Sequence, residues 1–437
     1  MASAILIAWI DLKNRKPLSV AKCRRLFESS FMTTASPEAF ATIEWTEEGA
    51  EHRARWRCER GSAAPARVAL ADDTMPADVA YRLACEGTAL LWRGDFQNAR
   101  MLLQALARRL DKTGARSAKK KVVPPAKAGL PAAQLSLPFH QQRQLQAQRA
   151  RVLSMVLIEL DAQYGMALRR APQVEAACSE AWGAAAGELG NVVSLRELQA
   201  LVGAHEWRKK GVEIPALAKL SAKGYARIHP HYGVFSPVRG EYIDLIAQAP
   251  LPTALNKQSL AFDIGTGTGV IAAVLARRGI KQIVATDNDP RALACAAENL
   301  ERLGASAQVK LEQADLFPAG KAALVVCNPP WVPAKPSAPV ERAVYDEGSR
   351  MLRGFLSGVP AHLAPGGEAW LILSDFAEHL GLRSRDELQA WIAEAGLQVV
   401  GKHNIRPRHP KAQDETNPLH RARAAEMTTL WRLQVAW

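Results

Sequence analysis

From residue 216 to the C terminus, the chain repeats one pattern: a short apolar run, then a segment of helical spacing, then another short run. The runs are "SLAFDIG", "QIVATD", "AALVVC", "EAWLILSD", "LQVVGKH" and "TTLWRLQVAW". Helices are expected from Val270, from Pro290, over Ser349 to Leu363 and over Ser384 to Ala395. Alternating strands and helices call for an α/β sheet, mostly parallel and covered on both faces. Local punctuation agrees. Asp289-Pro290 supplies an N-cap with proline in the first helical position, and Gly304 stops that helix. The last run is expected to fold back antiparallel beside "LQVVGKH".

The first strand ends in "AFDIGTGTGV", which sets Asp263, Gly265, Gly267 and Gly269 at its carboxyl end. Glycine allows a tight turn and lets backbone approach a ligand where a Cβ would clash. The spacing excludes two familiar ligand loops. Val270 and Ala272 stand where a dinucleotide fingerprint needs its third glycine, and no Gly-Lys-Ser/Thr follows for a P-loop. About twenty residues on, "IVATDNDP" places Asp287 at the end of the second strand, where a carboxylate can accept two hydrogen bonds from a ribose diol. "EQADLFP" places Asp315 after the third strand, within reach of an adenine amine.

The strand "AALVVC" stops at Asn328-Pro329-Pro330-Trp331. Neither proline has an N–H for a sheet ladder, so the strand must end there in a stiff loop. A planar nitrogen is a poor nucleophile because its lone pair is delocalised. Two acceptors taking its N–H groups draw it toward tetrahedral geometry, and the Asn328 side-chain oxygen and the Pro329 carbonyl are suited to that task. Trp331 adds an aromatic face for a planar group.

Together these residues make the segment from about 225 to the end similar to class I S-adenosylmethionine-dependent methyltransferases. The resemblance implies a Rossmann-like seven-stranded sheet with a C-terminal antiparallel hairpin, and S-adenosylmethionine as cofactor. It implies that Gly265, Gly267 and Gly269 lie along the methionine and ribose portion, Asp287 at the ribose hydroxyls and Asp315 at the adenine. Asn328 to Trp331 resemble the Asn-Pro-Pro-Tyr/Phe motif of enzymes that methylate planar nitrogens in nucleic-acid bases or in the glutamine amide of release factors. Trp331 departs from the usual Tyr or Phe. "HPHYGVFSPVRGEYIDLI" is similar to the segment preceding the sheet in release-factor glutamine methyltransferases and in ribosomal RNA guanine methyltransferases. That similarity makes Phe235, Pro237 and Arg239 cofactor-side candidates.

Upstream, residues 1–75 carry little periodic signal. Residues 76–215 read as a mainly α-helical accessory domain, with two amphipathic helices about a turn at Arg93-Gly94-Asp95. A Lys-, Pro- and Ala-rich stretch near 111–134 reads as a flexible basic linker in which Lys119, Lys120 and Lys121 could touch phosphate. The methyltransferase domain is expected over 216–437.

The chain holds 56 Lys and Arg against 43 Asp and Glu, a formal +13, which favours anionic partners. Six scattered cysteines, with no paired spacing and no histidine at metal spacing, argue for reduced thiols, no metal site and a cytoplasmic protein. No apolar run is long enough for a bilayer. The N terminus lacks the basic region of a signal peptide. Lys402, Arg406, Arg408, Lys411, Arg421 and Arg423 gather between the last two strands, near the expected active-site rim. They favour RNA, ribosomal RNA in particular, over a protein amide as substrate. A catalytically silent binding module and a small-molecule methyltransferase are the alternatives.

Overall fold

In a computed structural model, residues 40–120, 132–220, 225–238, 240–337, 339–407 and 417–436 are described. Thr42 to Trp437 belong to one compact unit.

A first sheet begins upstream of the expected accessory domain. Strands β1 (Thr42–Glu47) and β2 (Ala50–Arg57) form a hairpin. Its turn places Glu48 and Gly49 at φ 51° and 81°, the paired left-handed geometry that suits the twist of a two-residue hairpin. There follow β3 (Arg67–Ala71), helix α1 (Ala77–Cys85), β4 (Thr88–Trp92), α2 (Phe96–Lys120), α3 (Ala132–Leu153), β5 (Val156–Leu160), α4 (Glu175–Trp182), β6 (Asn191–Ser194) and α5 (Leu195–Lys210). The strands assemble in the order β1-β2-β6-β5-β4-β3.

The accessory region is therefore an α/β domain, and this corrects two expectations. The expected helices do occupy most of residues 76–215, but they lie on a six-stranded sheet. The boundary at residue 75 also falls inside that domain, because β1 to β3 precede it. Leu90 and Leu91, just before the turn at Arg93-Gly94-Asp95 and so within the first of the two expected helices, are in β4. Leu90 and Trp92 pack on one side of the sheet with Leu106 and Ile158, while Ala89 and Leu91 pack on the other with Ile43 and Leu157. A strand buried on both faces loses its polar alternation and looks like a piece of buried helix. The turn at Gly94 is there, between β4 and α2. Of the expected linker, Asp111–Lys120 ends α2 and Ala132 starts α3; residues 121–131, with Lys121, lie outside the described residues.

A short hairpin of β7 (Val212–Glu213) and β8 (Arg227–Ile228), with α6 (Pro215–Lys219) between, leads to α7 (Glu241–Gln248). The second sheet is then built by β9 (Leu260–Ile264), α8 (Val270–Arg277), β10 (Gln282–Asp287), α9 (Pro290–Arg302), β11 (Val309–Gln313), β12 (Ala322–Cys327) and α10 (Arg350–His362). It is completed by β13 (Leu363–Ser374), α11 (Phe376–His379), α12 (Arg385–Glu394), β14 (Leu397–Ile405), α13 (His420–Ala425) and β15 (Thr428–Val435). The order is β11-β10-β9-β12-β13-β15-β14. β15 alone runs antiparallel to its neighbours, which is the expected terminal hairpin.

The anticipated cap is present: Asp289 accepts from the Arg291 amide at 2.9 Å. A further cap, a capping box of Ser384 and Glu387, starts α12. One apolar layer of the core sits under α7 and α8 around Ile271, Leu324 and Trp370; the other sits under α10 and α12 around Phe262, Phe355 and Leu371. Between β13 and β15 a buried ion pair joins Glu368 to Arg432 through two bonds of 2.8 and 2.7 Å. Substituting Arg432→Leu strands a buried carboxylate and is expected to cost about 3–5 kcal/mol. The double change Glu368→Leu/Arg432→Leu should cost less than the single one in chemical denaturation; a cost equal to the two single changes added together would show that the pair has no coupling.

Candidate active site

The strand order reverses between β9, which leads outward to β10 and β11, and β12, which leads to β13. In open α/β sheets a crevice forms outside the carboxyl ends at such a point. Register fixes what faces it. Ile264 lies beside Thr286 on one side and Cys327 on the other, so the next residues, Gly265, Asp287 and Asn328, come side by side at the edge. Three motifs spread along the chain from Gly265 to Asn328 are thus brought together by strand pairing alone.

The glycine turn is held by backbone and by both acids. Gly265 and Thr266 amides donate to the Thr286 carbonyl at 2.9 and 2.8 Å, and the Gly267 amide donates to Asp287 Oδ2 at 3.0 Å. Asp287 Oδ1 accepts from the Asp289 amide at 3.0 Å. Gly269 starts α8 at φ 79°, where an added Cβ would lie 3.2 Å from the Ala296 backbone of α9. Gly267, at φ 54°, has nothing within 4 Å of an added Cβ, so this turn opens onto the crevice. Burial raises the Asp287 carboxyl above its ordinary range.

Asp263 is fully buried under the turn. Its Oδ2 accepts from Thr266 Oγ at 2.7 Å and the Ala272 amide at 3.1 Å, while Oδ1 is enclosed without a partner. Burial pushes its pKa up to about 7, against the pull of those two bonds. An enclosed acceptor, an open glycine cradle and a carboxylate at the next strand end form a donor-and-acceptor set that fits the amino, carboxylate and ribose groups of S-adenosylmethionine. Asp315, after β11, is exposed and pairs with Arg350 at 2.8 Å.

On the other flank, Pro329 is buried and Asn328, Pro330 and Trp331 are half-buried. The Trp331 indole N–H donates to Asn328 Oδ1 at 2.9 Å. That indole can only donate, so its position settles which end of the Asn328 amide faces it. The ring also packs against apolar residues of both sheet faces and of the loop beyond. Trp331 thus holds Asn328 through a ring N–H that a phenylalanine would lack.

Three further positioning residues escaped the sequence reading. Asp346 accepts from the Met351 and Leu352 amides at 3.0 and 3.2 Å, and its own amide reaches the Val332 carbonyl at 2.9 Å, which ties α10 to the proline loop. Asn299 on α9 donates to the His229 and Thr268 carbonyls at 3.2 Å each, binding the segment before the sheet to the glycine turn. Arg143 comes from α3 of the first domain. It lies 4.2 Å from the Tyr345 ring centroid, donates to the Lys335 carbonyl at 2.7 Å and pairs with Glu341 at 3.2 Å. Phe139 of the same helix is buried beside Val332. Asn299 and Arg143 act through partners distant in sequence and Asp346 through loop geometry, so none leaves a local sequence signature. Of the three candidates before the sheet, Phe235 is half-buried and Pro237 buried; Arg239 lies outside the described residues.

Residues 226–389 match the methyltransferase small domain family. Over these residues the chain carries a methyltransferase small domain, a family of S-adenosylmethionine-dependent class I enzymes. The release factor glutamine methyltransferase of Cereibacter sphaeroides is 37% identical over 123 residues, covering 25% of this chain and 44% of that protein. That of Xylella fastidiosa is 29% identical over 242 residues, 51% of this chain and 82% of that protein. The ribosomal RNA small subunit methyltransferase C of Alcanivorax borkumensis is 33% identical over 146 residues, 32% of this chain and 40% of that protein. The chain thus spans less than half the length of the first and third of these relatives. No described helix is long and apolar enough to cross a membrane.

Asp263 gives a measurable pH signature. Its folded pKa of about 7 lies above that of an unfolded carboxyl, so the folded state holds the proton longer. Stability should therefore fall as pH rises from about 4, where the unfolded carboxyl loses its proton, to about 7, where the folded one does. Asp263→Asn should flatten that slope in thermal melts of the ligand-free protein; a variant slope equal to the wild-type one would contradict the assignment.

Proposed function

We propose that the protein transfers a methyl group from S-adenosylmethionine to a planar exocyclic nitrogen, a base amine of RNA and in particular of ribosomal RNA. The single observation that carries this reading is Asn328 beside Gly265 at the strand-order reversal, with its amide oxygen fixed by Trp331. When bound, S-adenosylmethionine supplies a methyl already activated by a positive sulfur, so the protein's task is to position the acceptor. Asn328 Oδ1 has one lone pair taken by the Trp331 N–H and one left for a substrate N–H. The Pro329 carbonyl takes the other N–H, and the stiff proline pair keeps both acceptors in place. As the C–N bond formed, the methyl–sulfur bond would break and leave a neutral thioether; the nitrogen would become cationic and lose a proton to water, so no general base is required. Gly265, Gly267 and Gly269 line the cofactor, with Asp263, Asp287 and Asp315 as its polar contacts and Phe235, Pro237 and Arg239 as cover.

RNA is favoured by charge at this edge. β14 runs parallel to β13, so Ile405 and the exposed Arg406 come to the carboxyl edge. Leu419, just before α13, packs with Val332 and Phe376, and Arg421 on α13 is exposed. A basic rim there steers a polyanion. The second reading, transfer to a glutamine amide of a protein, rests on the Xylella relative, whose similarity extends over most of its own length.

Labelled methyl from S-adenosylmethionine should enter the RNA fraction of a lysate from a deletion strain. Label confined to protein would replace this reading with the second. Asn328→Ala should lower turnover on the order of 10²-fold with cofactor affinity unchanged. Trp331→Phe, which keeps a ring but loses the N–H, should lower it roughly tenfold or less. Full activity in both variants would refute the clamp.

A further inference from the structure

Among the described residues, the buried carboxylates and guanidinium groups each have at least one hydrogen-bond partner, Asp263 through one oxygen only, with one exception. Asp95 meets Arg169 and Arg170, Glu368 meets Arg432, Asp346 caps α10, and Glu426 accepts from Ser374. Arg383 is only 3% exposed, yet its Nε and Nη2 are closed off from solvent with no hydrogen-bond partner. Those two nitrogens share one edge of the guanidinium. It is the edge by which Arg432 grips Glu368. A guanidinium keeps its charge inside a protein, so burying it unpaired is costly unless something anionic meets it.

The carboxylates that act on Arg383 are Glu378, Glu387 and Asp346. Each is engaged elsewhere. Glu378 pairs with Arg385 at 3.0 Å, Glu387 accepts from the Ser384 amide at 2.6 Å, and Asp346 accepts from the start of α10. Burial accordingly lowers the Arg383 pKa in spite of them. The position is suggestive too. Arg383 lies between α11 and α12, just past the carboxyl end of β13. Its neighbours Leu380 and Leu382 pack in the cluster that holds Val332 and Trp331. Ser384 and Arg385, which follow it, are exposed, so the site is near the rim and not deep in the sheet. Other cations share this edge: Arg423 lies 5.0 Å from the Phe376 ring centroid, and Arg421 and Arg406 are exposed.

We propose that Arg383 is an oxyanion-binding residue that takes one phosphodiester of the acceptor RNA, its Nε and Nη2 each donating to one non-bridging oxygen. Two parallel N–H groups match two oxygens of a phosphate, and a low-dielectric surround strengthens the pair. The phosphate would anchor the strand beside the proline loop while Asn328 grips the amine. Reaching the enclosed edge requires Leu380–Ser384 to shift as the strand enters. The inference rests on RNA as the substrate class.

The test is Arg383→Met, which keeps length but removes charge, and Arg383→Lys, which keeps charge but removes the two-pronged edge. A labelled single-stranded RNA oligonucleotide is titrated at several salt concentrations, with thermal melts run with and without inorganic phosphate. Both variants should bind RNA at least about tenfold more weakly than wild type, and Arg383→Met should lower the salt slope by about one. Arg383→Met should melt no lower than wild type, because it removes an unpaired buried charge, and phosphate should stabilise only the wild type. RNA affinity unchanged in Arg383→Met, with wild type binding well, would overturn the inference and leave the RNA reading intact. A lower melting temperature with unchanged RNA affinity would make Arg383 a structural residue and also overturn it. Wild type that binds no RNA while labelling protein would remove both.

Discussion

The site depends on one turn: Gly265 to Gly269, folded back so that its amides reach Thr286 and Asp287 at the end of the neighbouring strand. Those bonds couple β9 to β10 where ladder pairing ends. They set the start of α8, which packs through Gly269 against Ala296 of α9. Asn299, one turn further along α9, then holds both the Thr268 carbonyl of the turn and the His229 carbonyl of the segment before the sheet. A displaced turn would carry with it the Asp287 carboxylate, the covering segment and the helix behind them.

The proline loop is fixed by a separate set of contacts, and part of that set comes from the first domain. Trp331 fixes the Asn328 amide from below, Asp346 ties the loop to α10, and Arg143 with Phe139 hold its outer stretch around Tyr345. The first domain touches the other flank as well: Glu59, just after β2, pairs with Arg291 at the start of α9 at 3.0 Å. Two sets of contacts from one domain onto elements at the two flanks of the crevice make that domain a scaffold for the site.

Legibility in the sequence followed the locality of the signal. The second sheet, the start and stop of α9 and the terminal hairpin were readable because strands and helices alternate with clear punctuation, as at Asp289-Pro290 and Gly304. The glycine turn, Asp287 and Asn328 were readable because their residue types and order are chemically specific. Strand register then brought them side by side. The first sheet was hidden. β4 and β5 are buried on both faces, so they lack alternation, and they sit beside long helices whose spacing dominates the pattern. Arg143, Asn299 and Asp346 were hidden for another reason: their meaning lies in partners distant in sequence or in loop geometry that composition does not encode. Arg383 was an unremarkable loop arginine until burial without a partner set it apart.

On the reading proposed above, the crevice over the glycine turn holds S-adenosylmethionine, with Asp287 as its anchor. Calorimetric titration of S-adenosylmethionine into wild type and into Asp287→Ala, with both proteins shown folded by circular dichroism, tests it most directly. Binding to wild type that is lost in the variant is the predicted result. Equal affinity in the two proteins, or no binding to a folded wild type, would contradict it.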